Sequence, residues 1–328
     1  MIEIVFHGQN ATTYLDDFKA ALEGQARIRV VPDLLDSPAD IQAFRRADVI
    51  VGNRLDASMP APERARLYQV CAAGYDRVDF AVLPAAAVVC NCYGHEPAIA
   101  EYVMAAILNQ RVPLARAHAG LSQSLWHYRS GMPDALHGEI GGATLGLLGY
   151  GHIGQAIARR AKAFGMRVLA ANRSPVPVSG EVDAWMGLDS LEPFYRQADF
   201  IVVSLPLLPA TTGLVGAGAF AQMRPHAMLI NVGRGPVVDE QALYDALSQQ
   251  RIGAAAIDTW YQYPARLGEA GAPSRLPFAQ LGNIIMTPHM SAWTDGTIRR
   301  RAQVMAANVM ACLDGRPLAH VLRGSGTS

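Results

Sequence analysis

Four short segments from the middle of the chain onward carry residue types that could do chemistry together. The stretch "GLLGYGHIGQAIA" sets Gly149, Gly151 and Gly154 in G-x-G-x-x-G spacing, directly after an apolar run and at the start of a helical pattern. "LINVGRGPVVDE" places Arg234 just past a strand, "AAAIDTW" places Asp258 past the next, and "IIMTPHMS" places His289 past the one after. An arginine holds a carboxylate through two parallel hydrogen bonds. A histidine exchanges a proton near neutral pH. Charged and titratable side chains at successive strand ends, downstream of a dinucleotide fingerprint, suit reversible hydride transfer between a nicotinamide and a 2-hydroxy or 2-oxo acid. Open α/β sheets bind ligands at that carboxyl edge.

The three glycines of the fingerprint serve different physical ends, namely a tight turn, close approach of backbone to pyrophosphate, and packing of helix on strand. The helix N-terminus then offers unpaired N–H groups and the positive dipole end to the phosphates. A lone glycine pattern arises by chance, but here the strand–turn–helix context is met. The second strand, "MRVLAAN", ends in Asn172, Arg173 and Ser174, where an NAD site generally carries an acidic residue for the ribose 2′-hydroxyl. Arg173 can pair with a 2′-phosphate and Ser174 can donate to it, against the alternative of a solvated loop arginine. NADP(H) is therefore the favoured cofactor and NAD(H) the alternative.

At these residues the chain resembles the D-isomer-specific 2-hydroxyacid dehydrogenases, which include glyoxylate/hydroxypyruvate reductases, phosphoglycerate dehydrogenases and formate dehydrogenase. The resemblance extends over nearly the whole length. It takes in "CAAGYDRVDF" and "AIAEYVMAAIL" as well as "SLPLLPATTGLV", "INVGRGPVVDE" and "TPHMSA". It implies that Arg234 binds the substrate carboxylate and polarises its carbonyl, that His289 is the acid/base, and that Asp258 lies near the nicotinamide. Main-chain amides around Ala73 and Gly74 would help hold the carboxylate, and the active form would be a homodimer. The cofactor set is then Gly149, Gly151, His152, Ile153, Gly154, Asn172, Arg173, Ser174, Ser204, Pro206, Thr211, Val232, Gly233, Asp258 and His289.

One position departs from the pattern. Most members carry a glutamate where this chain has Tyr263, in "AIDTWYQYP"; formate dehydrogenase has a glutamine there. Without a carboxylate, nothing of opposite charge at that position favours the imidazolium form of His289, so its pKa should be low. The phenol can still orient the ring, either accepting or donating, against the bland reading of a packed aromatic beside Trp260 and Tyr261. Glu269, in the glycine-rich "PARLGEAGAPSRLP", is a weaker substitute. Two other functions stay in view: oxidation of a small anion such as formate or phosphite, and cofactor binding for regulation without turnover. Retention of both Arg234 and His289 argues against the last.

These residues need two sheets to position them. The first hundred residues alternate short apolar runs ("IEIVF", "IRVVP", "DVIVG", "AVVCN") with helical patterns, one of which opens with Ser37 as N-cap and Pro38 at the first helical position. A long helical stretch runs from Pro97 and breaks near Pro113; a second alternating block begins near Thr144. The expected fold is α/β: two doubly wound parallel-sheet lobes, one flavodoxin-like and one a dinucleotide-binding Rossmann lobe, with a cleft between them. Residues 1–115, completed by a closing segment 294–328, would form the substrate-binding domain, and residues 116–293 the nucleotide domain. Trp126 would line the substrate site or serve as a core or interface aromatic. His95 and Glu96 stand at the start of the long helix, and Glu101 one turn on. The ending "RGSGTS" reads as a disordered tail.

Composition narrows the function classes. Among 328 residues, 28 basic side chains balance 28 acidic ones and no basic run occurs, which gives nucleic acid or an anionic membrane no purchase. Only Lys19 and Lys162 are lysines, so Schiff-base chemistry has almost no candidates. Cys90 and Cys92 lack a second pair to complete a zinc site, and no metal is expected. No apolar run reaches the roughly 18 residues of a membrane span, and the start "MIEIVFHG" has no leader signal. The chain reads as a soluble cytoplasmic protein that acts on a small carboxylate.

Overall fold

Residues 2–22, 26–266 and 268–324 are described by the computed structural model, and the chain divides into two units: Met1–His95 with Trp293–Ser328, and Glu96–Ala292. The first unit begins with β1 (Ile2–His7), α1 (Gln9–Thr12), α2 (Leu15–Ala21), β2 (Ala26–Val31), α3 (Pro38–Arg46), β3 (Val49–Gly52), β4 (Leu67–Val70) and β5 (Val88–Cys90). These strands lie parallel in the order β5-β4-β3-β1-β2. Ser37 does cap α3, its side chain accepting from the Asp40 amide at 3.1 Å.

The second unit holds α4 (Glu96–Arg111), α5 (Leu114–Leu121), β6 (Thr144–Leu148), α6 (His152–Ala163), β7 (Arg167–Ala171), β8 (Ala184–Met186), α7 (Glu192–Gln197), β9 (Phe200–Val203), α8 (Ala217–Gln222), β10 (Met228–Asn231), α9 (Glu240–Ser248), β11 (Ala254–Ile257) and β12 (Ile284–Met286). Its seven strands are all parallel, in the order β12-β11-β10-β9-β6-β7-β8. The central strands are apolar almost throughout because both faces are covered. Leu147, Ala170, Val202 and Ile230 pack into one layer, while Leu148, Ala171, Val203 and Leu229 pack into the other. Gly146 leaves room for Phe194, whose ring would lie 2.7 Å from an added Cβ.

Helix α4 belongs with this second sheet. Ala100, Val103, Met104 and Ile107 share a core with Leu145 and Ile157, so the division falls after His95 rather than near residue 115. An apolar face alone does not say which sheet it will cover. The chain then returns to the first unit through α10 (Asp295–Asp314), capped by Thr294 and ended by Gly315 in the left-handed conformation at φ +65°. Ala302, Met305, Ala306 and Val309 of this helix bury against Phe6, Phe18 and Val49. A final strand, β13 (Val321–Arg323), pairs antiparallel with β5. The Arg323 guanidinium donates to the carbonyls of Pro84 at 2.6 Å and Ala87 at 3.0 Å, which ties down the start of the segment expected to be a free tail. Ser325–Ser328 lie outside the described residues. The short strands β8 and β13 carry too little pattern, three residues each, to be seen in sequence.

Candidate active site

The nucleotide cradle follows from β6. Gly149 has φ +103°, and a Cβ there would press on Ser204 Oγ at 3.0 Å. Ser204, just past β9, returns a hydrogen bond from its hydroxyl to the Gly149 carbonyl at 3.1 Å, so its side chain shapes the turn. Gly154 packs so closely that an added Cβ would meet the Gly149 carbonyl oxygen at 2.5 Å. Gly151, by contrast, has nothing within 4 Å of that position. It sits at the N-cap of the 12-residue α6, where His152, Ile153 and Gly154 present the first helical amides. Open space at one glycine beside the first amides of a 12-residue helix fits a pyrophosphate.

At the end of β7, Asn172 is occupied locally: its Nδ2 donates to the Ser174 carbonyl at 3.0 Å and its Oδ1 accepts from the Tyr150 amide at 3.4 Å. Arg173 and Ser174 are exposed, and Arg173 makes no ion pair among the described residues. No carboxylate stands at 172–174, so nothing there repels a 2′-phosphate. Thr211 is buried and spends its hydroxyl inside its own loop, donating to the Pro206 carbonyl at 2.7 Å and accepting from the Leu208 amide at 2.8 Å. Val232 is buried, and Gly233 passes so near Leu205 that a Cβ would meet its carbonyl oxygen at 2.8 Å.

Arg234 follows immediately, with its Nη1 donating to the Gly233 carbonyl at 3.0 Å. Gly235, which no sequence motif above singles out, lets this loop touch the next one: a Cβ there would collide with the Trp260 carbonyl oxygen at 2.3 Å. A glycine directly after the arginine is the signal that could have found it.

His289 is held by a network of neighbours. Its φ of +59° is left-handed, a conformation that costs a non-glycine residue about 1–3 kcal/mol unless the surroundings impose it. The imposing group is Asp258, which is wholly buried. Its carboxylate accepts from the Thr287 hydroxyl at 2.6 Å, before the histidine, and from the amides of Met290 at 2.8 Å and Ser291 at 3.0 Å, after it. Thr287 also bonds the Tyr102 hydroxyl at 2.8 Å, and its carbonyl accepts from Trp260 Nε1 at 2.8 Å. Thr287, Tyr102 and Trp260 do not stand out as site residues in sequence, because only the fold brings them to one loop.

The partner of the imidazole is Tyr263. Its hydroxyl lies 3.0 Å from His289 Nδ1 and accepts from the Trp260 amide at 3.1 Å. With that lone pair engaged, the phenol proton can point at Nδ1 in the neutral tautomer that carries its proton on Nε2. When Nδ1 is protonated, in the charged ring or in the other neutral tautomer, Nδ1–H donates to the same oxygen. A glutamate could serve only the second arrangement. His289 keeps an exposed face, yet the protein packed around it lowers its pKa below the usual 6.5; Asp258 opposes that shift and Arg234 adds to it. Burial also raises the Tyr263 phenol above its ordinary 10, so it stays protonated. Glu269 pairs instead with Arg266, at 3.9 Å.

In the first unit, Ala73 and Gly74 follow β4 and are half-buried, with the Ala73 carbonyl accepting from Asn91 Nδ2 at 2.7 Å. Trp126 is 64% exposed, so it is not a core aromatic of this chain. His95 is buried. Glu101 forms an exposed pair with Arg160 at 3.4 Å.

Comparison with known proteins matches residues 104–291 to the family model described as "D-isomer specific 2-hydroxyacid dehydrogenase, NAD binding domain". The chain is 32% identical over 314 residues to the glyoxylate/hydroxypyruvate reductase B of Citrobacter koseri, covering 92% of this chain and 93% of that one. It is 32% identical over 220 residues to the D-3-phosphoglycerate dehydrogenase of Methanocaldococcus jannaschii; that match covers 66% of this chain and only 39% of the longer relative. Among solved structures, a D-isomer specific 2-hydroxyacid dehydrogenase family protein from Aeromonas salmonicida superposes with a TM-score of 0.80 at 30% identity, covering 98% of each chain.

Proposed function

Because the chain belongs to the D-isomer specific 2-hydroxyacid dehydrogenase family, we propose that it is an NADP(H)-dependent reductase of small 2-oxo acids. The observation that carries this reading is the set of groups around one imidazole: Tyr263 bonded to Nδ1, Asp258 holding the loop, and Arg234 close enough to act on its charge. The cofactor would lie along the Gly149–Gly154 turn with its 2′-phosphate at Arg173 and Ser174. When bound, its nicotinamide supplies or takes the hydride at the substrate's C2.

The remaining steps belong to the protein. Arg234 pairs with the substrate carboxylate and draws charge from the neighbouring carbonyl. The amides at Ala73 and Gly74 are assigned to that carboxylate as well. His289 in its charged form gives the Nε2 proton to the forming alkoxide oxygen. The ring is left neutral with its proton on Nδ1, bonded to the Tyr263 oxygen, and solvent restores the charge. In the reverse direction, Nε2 takes the proton from the hydroxyl. The apolar side chains exposed from α5 to residue 136 (Leu114, Leu121, Leu125, Trp126, Met132 and Leu136) support a homodimer in which a second copy covers them.

The test is loss of reduced-nicotinamide absorbance with NADPH or NADH against glyoxylate, hydroxypyruvate, pyruvate and phenylpyruvate. Formate and phosphite are offered as donors to the oxidised cofactors. Reduction of any 2-oxo acid with NADPH, abolished in His289→Ala, supports the reading. Turnover of formate or phosphite alone would replace it. Arg173→Ala should raise the KM for NADPH roughly tenfold or more, as for loss of a charged hydrogen bond worth about 1.5–3 kcal/mol, and leave NADH nearly as before.

A further inference from the structure

Helix α10 carries an arginine where its pattern calls for an apolar residue. Arg301 lies on the face that buries Ala302, Met305 and Val309, and is only 6% exposed. Buried guanidinium groups ordinarily meet a carboxylate, because taking the charge out of water without a partner costs several kcal/mol. Among the described residues no carboxylate pairs with Arg301. Its contacts are two long hydrogen bonds from Nη1, to the Tyr14 hydroxyl at 3.4 Å and to the Cys71 carbonyl at 3.5 Å. Its Nε has no hydrogen-bond partner among the described residues. Tyr14, itself buried, accepts from the arginine, so its own proton is left to give, and no acceptor for it stands among the described residues.

Two buried donors therefore belong to one hydrogen-bonded pair, the Nε–H of Arg301 and the O–H of Tyr14, and no acceptor for either stands among the described residues. They stand at the carboxyl edge of the first unit's sheet, where Cys71 follows β4 and precedes the Ala73–Gly74 amides by two residues. The surroundings are polar on the same edge, with Asn53 Oδ1 accepting from Cys71 Sγ at 2.8 Å. We propose that Arg301, with Tyr14, receives a second acidic group of the substrate, so that the enzyme prefers 2-oxo acids bearing a distal carboxylate or phosphate. The inference rests on the assignment of the first carboxylate to Ala73 and Gly74. A planar carboxylate accepts two bonds from a guanidinium, and a phosphate monoester offers a third oxygen to the phenol. Arg301 would then be a specificity-determining residue that takes no part in the hydride or proton transfer.

Matched substrates test this. The ratio of kcat/KM for 2-oxoglutarate over 2-oxopentanoate, and for 3-phosphohydroxypyruvate over hydroxypyruvate, is measured in the wild type, Arg301→Lys and Arg301→Met. The wild type should favour the acidic member of at least one pair, and which pair identifies carboxylate or phosphate. Arg301→Met should cut that ratio ten- to a hundredfold through KM, and Arg301→Lys should cut it less, keeping the charge but losing the fork. Binding is read separately as the Tm shift given by glutarate against butyrate at matched ionic strength. The wild type should be raised by glutarate, and Arg301→Met should be more stable without ligand and indifferent to it. A ratio unmoved by Arg301→Met, or equal protection by glutarate in both proteins, overturns the proposal. If no 2-oxo acid is turned over while glutarate still protects only the wild type, the reductase reading falls and the Arg301 site stands. If monocarboxylates are reduced while glutarate protects neither protein, the reductase reading stands and this one falls.

Discussion

With His289 proposed as the acid/base, a phenol beside it instead of a carboxylate changes what the imidazole can do. A glutamate stabilises the imidazolium by charge; Tyr263 can only exchange hydrogen bonds with it, and the burial around the ring then depresses the His289 pKa. Proton donation is complete only below that pKa, so 2-oxo acid reduction should decline as pH rises through a value below 6.5. Tyr263→Glu should move this limb upward by about one unit or more, as a nearby opposite charge does, in a pH profile of kcat/KM. A limb that stays in place would show that the phenol does not set it. Asp258 acts differently, through the loop. Asp258→Asn would leave an NH2 group against an amide of Met290 or Ser291, costing about 1–3 kcal/mol. The expected outcome is a lower Tm together with a further downward shift of the pH limb, since Asp258 raises the His289 pKa.

At the scale of elements, the turn from β6 into α6 separates two uses of glycine. Gly154 is required by packing against the Gly149 carbonyl, so Gly154→Ala should lose about 1–3 kcal/mol of stability as an overpacked site. Gly151 faces open space, so Gly151→Ala should melt near the wild type yet weaken NADPH binding at least tenfold. Thermal melts and fluorescence titration would check the pair; equal melting temperatures for both variants would contradict the distinction. The spacing of these glycines was legible in sequence, but which of them packs and which leaves space was not. Strand ends such as those bearing Arg234, Asp258 and His289 were also legible, because buried parallel strands read as apolar runs with a clear stop. The mutual contacts of Gly235, Trp260 and Thr287 were hidden, since each lies in a loop whose partner is distant in the chain.

For the whole molecule, two histidines set the response to acid. Burial lowers the pKa of His7 as well as that of His289. Between these lowered values and 6.5 the unfolded chain binds more protons than the folded one, so stability rises with pH across that window and is lost on acidification. The buried His7 contributes up to about 1.4 kcal/mol per pH unit, and the more exposed His289 less because solvent screens it. Asp183 and Asp199, both held below the ordinary 3.8, extend the loss to more acid pH. Melting temperature should fall from pH 7 to pH 5, and His7→Gln should flatten the slope; an unchanged slope would exclude His7 as a source. The proposed homodimer is checked by light scattering: Leu125→Asp and Leu136→Glu should lower the mass from about twice that of the 35.2 kDa chain toward one. A monomeric wild type would remove the support drawn from the exposed apolar segment.

Sequence alone determined the two α/β lobes, the nucleotide turn and the strand ends that carry Arg234 and His289. Those features are local: hydrophobic period, glycine spacing and residue type are written in contiguous stretches. Tertiary structure decided that α4 packs with the second sheet, that Asp258 grips the two amides that follow His289, that the Tyr263 hydroxyl meets Nδ1, and that Arg301 is buried with no carboxylate beside it among the described residues. Each of these depends on which distant segments come within a few ångströms, and neither helical period nor strand pattern carries that information.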